Sequence, residues 1–175
     1  MNQNKNNPPA RRRRWFGATG ISVASTFILI AGSAVASTST STFNVTATSQ
    51  ATCSISSNTP LAFGNYIGSP VSAATTVMVT CTNTTPFNVG LNAGSASGAT
   101  VGHRMLTGPG SVTLNYGLYQ DVGHTANWGE TIGTDTLAGI GNGSSQTLTV
   151  YGYMPTGPTP NPGAYSATIP ATITY

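Results

Sequence analysis

Apolar and polar residues alternate with a period of two along much of the chain, which predicts β-strands rather than helices. The longest alternation lies at the C-terminal end, where Ser, Thr and Pro occupy one face of a predicted strand and apolar or aromatic residues the other. The apolar face consists of Tyr165, Ala167, Ile169, Ala171, Ile173 and Tyr175. No turn or helix signal follows, so we expect one edge of this strand to need a partner from elsewhere.

The same alternation recurs at short intervals, between segments rich in Gly, Pro, Asn and Ser. The other predicted strands lie at residues 43–55 (as one strand or two), 74–82, 87–94, in two halves of 103–121, and at 146–155. Residues 87–94 are predicted to pair with residues 74–82, and residues 122–145 to form a long Gly-rich connection. This pattern predicts an all-β, immunoglobulin-like sandwich, with a closed barrel as the alternative.

Residues 1–36 have the three parts of a signal peptide. Lys5 and the arginines at 11–14 form the positive region, residues 27–31 (FILIA) are apolar, and Ala34-Val35-Ala36 matches a cleavage site. Cleavage after Ala36 gives a mature chain of residues 37–175. The alternative is an uncleaved membrane anchor over residues 15–36.

The formal net charge of +3 belongs to this leader. Of the six Lys and Arg residues, Arg104 alone lies beyond residue 36, against Asp121, Glu130 and Asp135. A domain with one basic residue cannot build a phosphate-binding surface, so the composition excludes nucleic acid as a partner.

No arrangement of residues predicts catalysis. The three carboxylates suit glycoside hydrolysis in type, but they lie in or beside one Gly-rich connection, where solvated turn residues are usual. His103 and His124 lack the spacing of metal ligands. Nucleotide-binding and nucleophile motifs are also absent from the sequence. We therefore predict no enzyme activity, no metal and no cofactor.

The aromatic residues suggest an alternative function. Trp128 with Tyr116, Tyr119, Tyr151 and Tyr153 would form a platform for a sugar ring if these side chains were exposed on one face. Aromatic residues in a small sandwich more often fill the core. A soluble carbohydrate-binding sandwich is therefore the alternative that these residues favour.

Cys53 and Cys81 are the two cysteines of the chain. An even number of cysteines in an exported chain favours a disulfide. Two buried free thiols are the alternative.

An ordered set of short segments resembles the spore coat U domain, which forms the subunits of archaic (Csu-type) chaperone–usher pili. The segments are CSIS, HRML, LNYGLYQD, NWGE, LTVYGYMP and GAYSATIPATITY. The resemblance covers residues 42 to 175. It implies an incomplete immunoglobulin-like sandwich, lacking its last strand, with a groove that a periplasmic chaperone fills first and a donor strand of the next subunit fills afterwards.

The resemblance also assigns roles to particular residues. Phe43, Val45 and Ala47 are expected to be the donor-strand residues, and the C-terminal strand (residues 165–175) to border the groove. The expected organisation is a signal peptide (residues 1–36), a donor extension (37–49) and a sandwich domain (50–175). Two features depart from this expectation: Pro170 interrupts the last strand, and the donor segment is rich in Thr.

The sequence thus predicts a structural subunit of a surface pilus for adhesion or biofilm formation. Its expected partners are copies of itself or related pilins, a periplasmic chaperone and an outer-membrane usher, and it is expected to pass through the periplasm to the cell surface. A spore or cell-coat protein is a further alternative.

Overall fold

The structure, a computed structural model, describes residue 32, residues 34–57 and residues 59–175. Most of the predicted leader, and with it the alternative of a membrane anchor, lies outside these described residues. The chain divides into two units, Met1–Val45 and Thr46–Tyr175. No helix in the described part of the chain is long and apolar enough to cross a membrane.

The first unit shows no regular secondary structure in its described residues, and from Ala34 onwards its side chains are exposed. The second unit remains irregular as far as Thr52. The strand predicted over residues 43–55 is therefore wrong in its first part. An alternating segment makes a strand only when a neighbouring strand pairs with it, and within this chain such pairing begins at Cys53.

The described residues of the second unit contain eight strands. They are β1 (Cys53–Ser57), β2 (Val71–Cys81), β3 (Pro86–Leu91), β4 (Arg104–Thr107), β5 (Thr113–Tyr119), β6 (Leu137–Ile140), β7 (Ser145–Met154) and β8 (Ala171–Thr174). A 3₁₀ turn at Pro109–Ser111 joins β4 to β5 in the predicted hairpin. The all-β fold is confirmed.

The strands form two antiparallel sheets, as predicted for a sandwich. One sheet has the order β1-β2-β7-β5-β4 and the other the order β6-β3-β8. Apolar side chains from both sheets form one core, because alternate residues of each strand point inward. The buried members are Val77, Val79, Cys81, Phe87, Val89, Leu91, Leu114, Tyr116, Leu118, Trp128, Val150 and Met154.

The pairing predicted between residues 74–82 and residues 87–94 is wrong. β2 pairs with β1 and β7, whereas β3 pairs with β6 and β8 in the other sheet. The short connection turns through Thr84, whose φ of 62° lies in the left-handed region. This connection carries the chain from one sheet to the other instead of folding it back as a hairpin.

β6 lies inside the segment that was predicted to be a Gly-rich connection. Its inward position opposite Phe87 is Gly139, where a Cβ would collide with the Phe87 ring. The apolar Ile140 points outward and is 65% exposed. Only Leu137 of this strand is an apolar side chain packed against the core, and the Gly139–Ile140 pair reverses the usual pattern, which hides the strand from a search for apolar periodicity.

Candidate functional site

The free edge of β8 is the candidate functional site. β8 is the outermost strand of its sheet and pairs on one side with β3, with Ile173 opposite Val89 and Ala171 opposite Leu91. Along residues 165–173 the side chains alternate between half-buried and exposed. A sheet edge with an apolar side and no hydrogen-bonded neighbour strand in the described structure is a template for pairing with another strand.

The regular strand at this edge is shorter than the sequence pattern predicts. Ala171–Thr174 forms β8, whereas Ser166 makes an antiparallel bridge to Thr107 of the other sheet, with N···O distances of 2.9 and 3.1 Å. The chain changes its partner between these points, and Pro170 has no N–H with which to continue a ladder. Tyr175 is 58% exposed. Residues 165–175, which we call the C-terminal run, thus contact both sheets.

An apolar groove opens beside the C-terminal run. A cavity of about 320 Å³ is lined by core side chains of both sheets, and a second cavity of about 790 Å³ extends toward residues 159–167. The two cavities share the lining residues Pro60, Leu61, Phe63, Leu106 and Ala167. The two cavities are therefore adjacent, and we call them together the groove; core side chains of both sheets line it.

A loop, rather than a paired strand, forms part of the groove wall. Leu61 and Phe63 follow β1 and pack onto Gly152 of β7, where a Cβ would lie 2.8–2.9 Å from their side-chain atoms. Glycine at this position makes room for both side chains. The Phe63 ring also packs edge-to-face on Tyr116, with ring centroids 5.8 Å apart. Since this wall is not a strand of the sheet that contains β8, the edge of β8 is unpaired here.

The strand order shows what the sandwich lacks relative to a complete immunoglobulin domain. In such a domain one sheet has the order A-B-E-D and the other contains C, F and G. Here β1-β2-β7-β5 follow the first order, and β3-β8 correspond to C and F. The place beside β8 is the one that strand G takes. Among the described residues, no strand occupies it.

The predicted donor residues Phe43, Val45 and Ala47 lie in the segment without regular secondary structure. Phe43 is 85% exposed and Val45 is 83% exposed, and Ala47 is also exposed. Apolar side chains at alternate positions of an exposed segment, two of them large, are unusual in a soluble domain. They are accessible to a partner.

The predicted disulfide between Cys53 and Cys81 is present. The two residues are directly opposite each other in the β1–β2 ladder. The connection between Thr52 and Thr82 extends this contact, because the Thr82 N–H donates to the Thr52 carbonyl and the Thr52 N–H to the Thr82 hydroxyl. The disulfide therefore fixes the first residue of an edge strand to a central strand.

Arg104 is fully buried, a role that the sequence analysis did not identify. Its guanidinium donates to four backbone carbonyls at 2.6–2.8 Å, those of Leu91, Asn92, Val101 and Trp128. Burial lowers the pKa of Arg104, and the nearby Tyr116, Asp135 and Glu130 oppose this shift. Through these hydrogen bonds the Arg104 side chain links the end of β3 to β4 and to the connection after β5. A single Arg in a domain with almost no other charge is the signal that could have indicated this role.

The other candidate groups do not converge on a site. Trp128 is fully buried and donates through Nε1 to the Val89 carbonyl, and Tyr116 is 6% exposed. The aromatic platform proposed from the sequence is therefore wrong. Asp121 accepts hydrogen bonds from Thr125 and Ala126 within its own loop. No cluster of three or more potential metal ligands occurs in the described part of the chain.

The fold and the open edge define a class of protein: an antiparallel two-sheet sandwich in which the position of strand G of an immunoglobulin domain is empty among the described residues. The profile of the Spore Coat Protein U domain matches residues 39–172. The chain is also 32% identical over 158 residues to Protein U of Myxococcus xanthus, covering 81% of this chain and 88% of the relative. The chain belongs to the spore coat protein U domain family.

Solved structures of similar fold include one from a pilus system. It is the CsuC–CsuE chaperone–tip adhesion subunit pre-assembly complex from the archaic chaperone–usher Csu pili of Acinetobacter baumannii, with a TM-score of 0.53 and 20% sequence identity. The match covers 72% of this chain and 40% of the solved chain. At this identity the similarity concerns the fold alone.

Proposed function

We propose that this protein is a structural subunit of an archaic chaperone–usher pilus, assembled by donor-strand complementation. The observation that carries the proposal is the unpaired edge of β8 beside a groove lined by core side chains. Family membership and the fold shared with a subunit of the Csu pilus support it. No chemical step is part of the proposed function.

The donor is the extension before β1. Phe43, Val45 and Ala47 are spaced by two, so an extended chain directs all three toward the same face of a sheet. Their insertion into the groove of a second copy removes apolar surface from water on both partners, while backbone hydrogen bonds to β8 supply a new ladder. Each subunit then has one donor and one groove, and contacts that do not close on themselves produce a fibre.

The proposed partners and location follow from the same surface. A free subunit exposes an apolar groove and a bare strand edge, both of which promote aggregation. A periplasmic chaperone covers them before assembly, and an outer-membrane usher exports the subunit to the cell surface. The fibre serves adhesion or biofilm formation. The proposed organisation is the leader (residues 1–36), the donor extension (37–49) and the domain (50–175).

The test is deletion of residues 37–48 from the mature chain, expressed together with its chaperone and usher. We expect the intact chain to give multimers on unheated denaturing gels, because a filled groove resists detergent, and boiling to dissociate them. The deletion is expected to abolish the multimers while the chaperone complex persists.

A matched pair of variants refines this test. Phe43→Ser removes a proposed groove contact, whereas Thr42→Ser changes the neighbouring residue on the opposite face. Phe43→Ser is expected to reduce the heat-labile multimers, and Thr42→Ser to leave them unchanged. Monomers alone from the intact chain would count against the pilus proposal.

A second candidate function is a coat protein, which the relationship to Protein U favours. This alternative predicts that the protein associates with coat layers and accumulates without a chaperone. Expression in cells that lack the chaperone separates the two functions, because a pilus subunit is expected to be degraded or to aggregate there.

A further inference from the structure

We propose that, in the assembled fibre, a proline-rich loop of one subunit docks in a hydroxyl-lined cleft of the subunit that donates the strand. The loop consists of residues 155–164. The cleft, of about 920 Å³, is lined by residues 49–54, residues 80–86 and Gly143. This inference rests on the proposed function and adds to it a second contact between subunits, outside the groove.

The polarity of the inserted strand determines where it leaves the groove. β8 and β6 both run antiparallel to β3, and every strand pair in the sandwich is antiparallel. Antiparallel pairing is also the more stable kind. A strand added at the free edge of β8 therefore runs antiparallel to the C-terminal run, so its last residues lie beside Tyr165.

The lengths of the two segments agree with this placement. The donor segment (residues 37–47) is as long as the acceptor segment (residues 165–175). Full antiparallel overlap of the two places Phe43 opposite Ile169 and Val45 opposite Ala167. Both acceptor residues belong to the half-buried series that lines the groove. The donor chain then leaves the groove where the proline-rich loop leads into Tyr165.

A short tether brings the two surfaces together. Residues 48–52 separate the proposed donor strand from Cys53, and a fully extended segment from residue 47 to residue 53 spans at most about 20 Å. Residues 49–52 themselves line the cleft. The proline-rich loop of the acceptor is therefore held next to the cleft of the donor subunit for as long as the donor strand is inserted.

The two surfaces are chemically complementary. Neither contains a charged residue. The loop carries prolines at 155, 158, 160 and 162, so its backbone offers more carbonyl acceptors than N–H donors and loses little entropy on docking. The cleft offers donors: Asn83 and Thr84 are exposed at its rim. Within the described residues their side chains make no hydrogen bond that competes with docking.

Thiol cross-linking in assembled fibres tests the contact. Asn83→Cys and Thr159→Cys place one thiol on each surface, while the native cysteines remain joined. Fibres of the double variant are treated with a short bis-maleimide and boiled. We expect a heat-stable ladder from this variant and none from either single variant. The matched control combines Asn83→Cys with Asn115→Cys, an exposed Asn on β5, and is expected to give no ladder.

A second variant tests the tether. Ten Gly and Ser residues inserted between Ser49 and Gln50 leave the donor strand intact but lower the effective concentration of the two surfaces, so cross-linking is expected to fall about fivefold. Two outcomes would overturn the docking proposal and leave the pilus function intact. One is that the Asn83/Thr159 double variant forms heat-labile multimers but no heat-stable ladder. The other is a ladder equally strong in the Asn115 control. Loss of the heat-labile multimers from the unmodified protein would overturn both.

Discussion

Two edge strands of the sandwich, β1 and β8, are held in place very differently. β1 is joined to the central strand β2 by a covalent bond at its first residue and by a ladder over its whole length. β8 has four residues, pairs with one strand and follows a proline. The difference is that β1 is held by a covalent bond as well as by its ladder, while β8 is held without a covalent bond and leaves the hydrogen-bonding groups of its outer edge available to a partner.

The largest loss of folding stability is expected from Arg104→Met. Four carbonyls lose their donor, and each buried acceptor left unsatisfied costs about 1–3 kcal/mol, so the free energy of unfolding is expected to fall by at least about 4 kcal/mol. Urea unfolding of the mature chain measures the change. Arg104→Lys is the control, because it retains the charge but not the planar fork, and its loss is expected to be smaller. Equal stability of the Met variant and the unmodified chain would contradict the role assigned to Arg104.

Loss of the disulfide is expected to have the next largest effect. Replacing Cys53 and Cys81 together by Ser opens a loop with a sequence separation of 28, which corresponds to about 3–4 kcal/mol in the chain-entropy model. The midpoint of urea unfolding is expected to fall, and reduction of the unmodified protein to give a similar shift. An unchanged midpoint would mean that the β1–β2 ladder holds β1 without the covalent bond.

A smaller effect is expected at the β8 edge. Ile173 is half-buried, so Ile173→Ala is expected to lower the free energy of unfolding of the free chain by about 1 kcal/mol. The loss is expected to be greater in fibres, where an inserted strand buries more of this side chain. Thr172→Ala, on the exposed face, serves as the control. An equal loss for Ile173→Ala in free chain and fibre would show that no strand covers this residue.

The smallest effect on stability is expected from a substitution at Asp121, in a loop far from either edge strand in sequence. Hydrogen bonds from the Ala126 N–H and from Thr125 lower the pKa of Asp121 below its usual value of 3.8. Because the folded state favours the charged carboxylate, the ionised Asp121 stabilises the fold at pH values above the unfolded pKa. This contribution is lost as the pH falls through the folded pKa. Asp121→Asn is expected to lower the Tm slightly at neutral pH and to have no effect in strong acid. A difference that persists in strong acid would show that hydrogen bonding by the carboxylate is not its cause.

The sequence predicted those elements whose side chains alternate in the usual sense. β2, β5 and β7 bury Val, Leu and Tyr at every second position, and periodicity identified all three. It missed β6 because Gly139 takes the inward place, and it misassigned the partner of β3 because only tertiary contacts show to which sheet a strand belongs.

The candidate site was predictable to the same limited degree. The apolar face of the C-terminal run is visible in the sequence, and so is the disulfide. The groove is not, because its walls combine Leu61, Phe63 and Leu106 from distant parts of the chain. The isolation of Arg104 in a nearly uncharged domain is a signal in the sequence, but its partners are not, since the four carbonyls that it binds converge only after folding.

The position of Cys53 has a mechanical consequence. It is the first residue of β1, and all the chain before it lacks a strand partner in the described residues. Tension applied to the chain at Thr52 passes through the Cys53–Cys81 bond into β2, which is flanked by ladders on both sides. The hydrogen bonds of β1 therefore bear little of the load, and the outermost strand of the five-stranded sheet does not peel away when the chain is pulled from its N-terminal side.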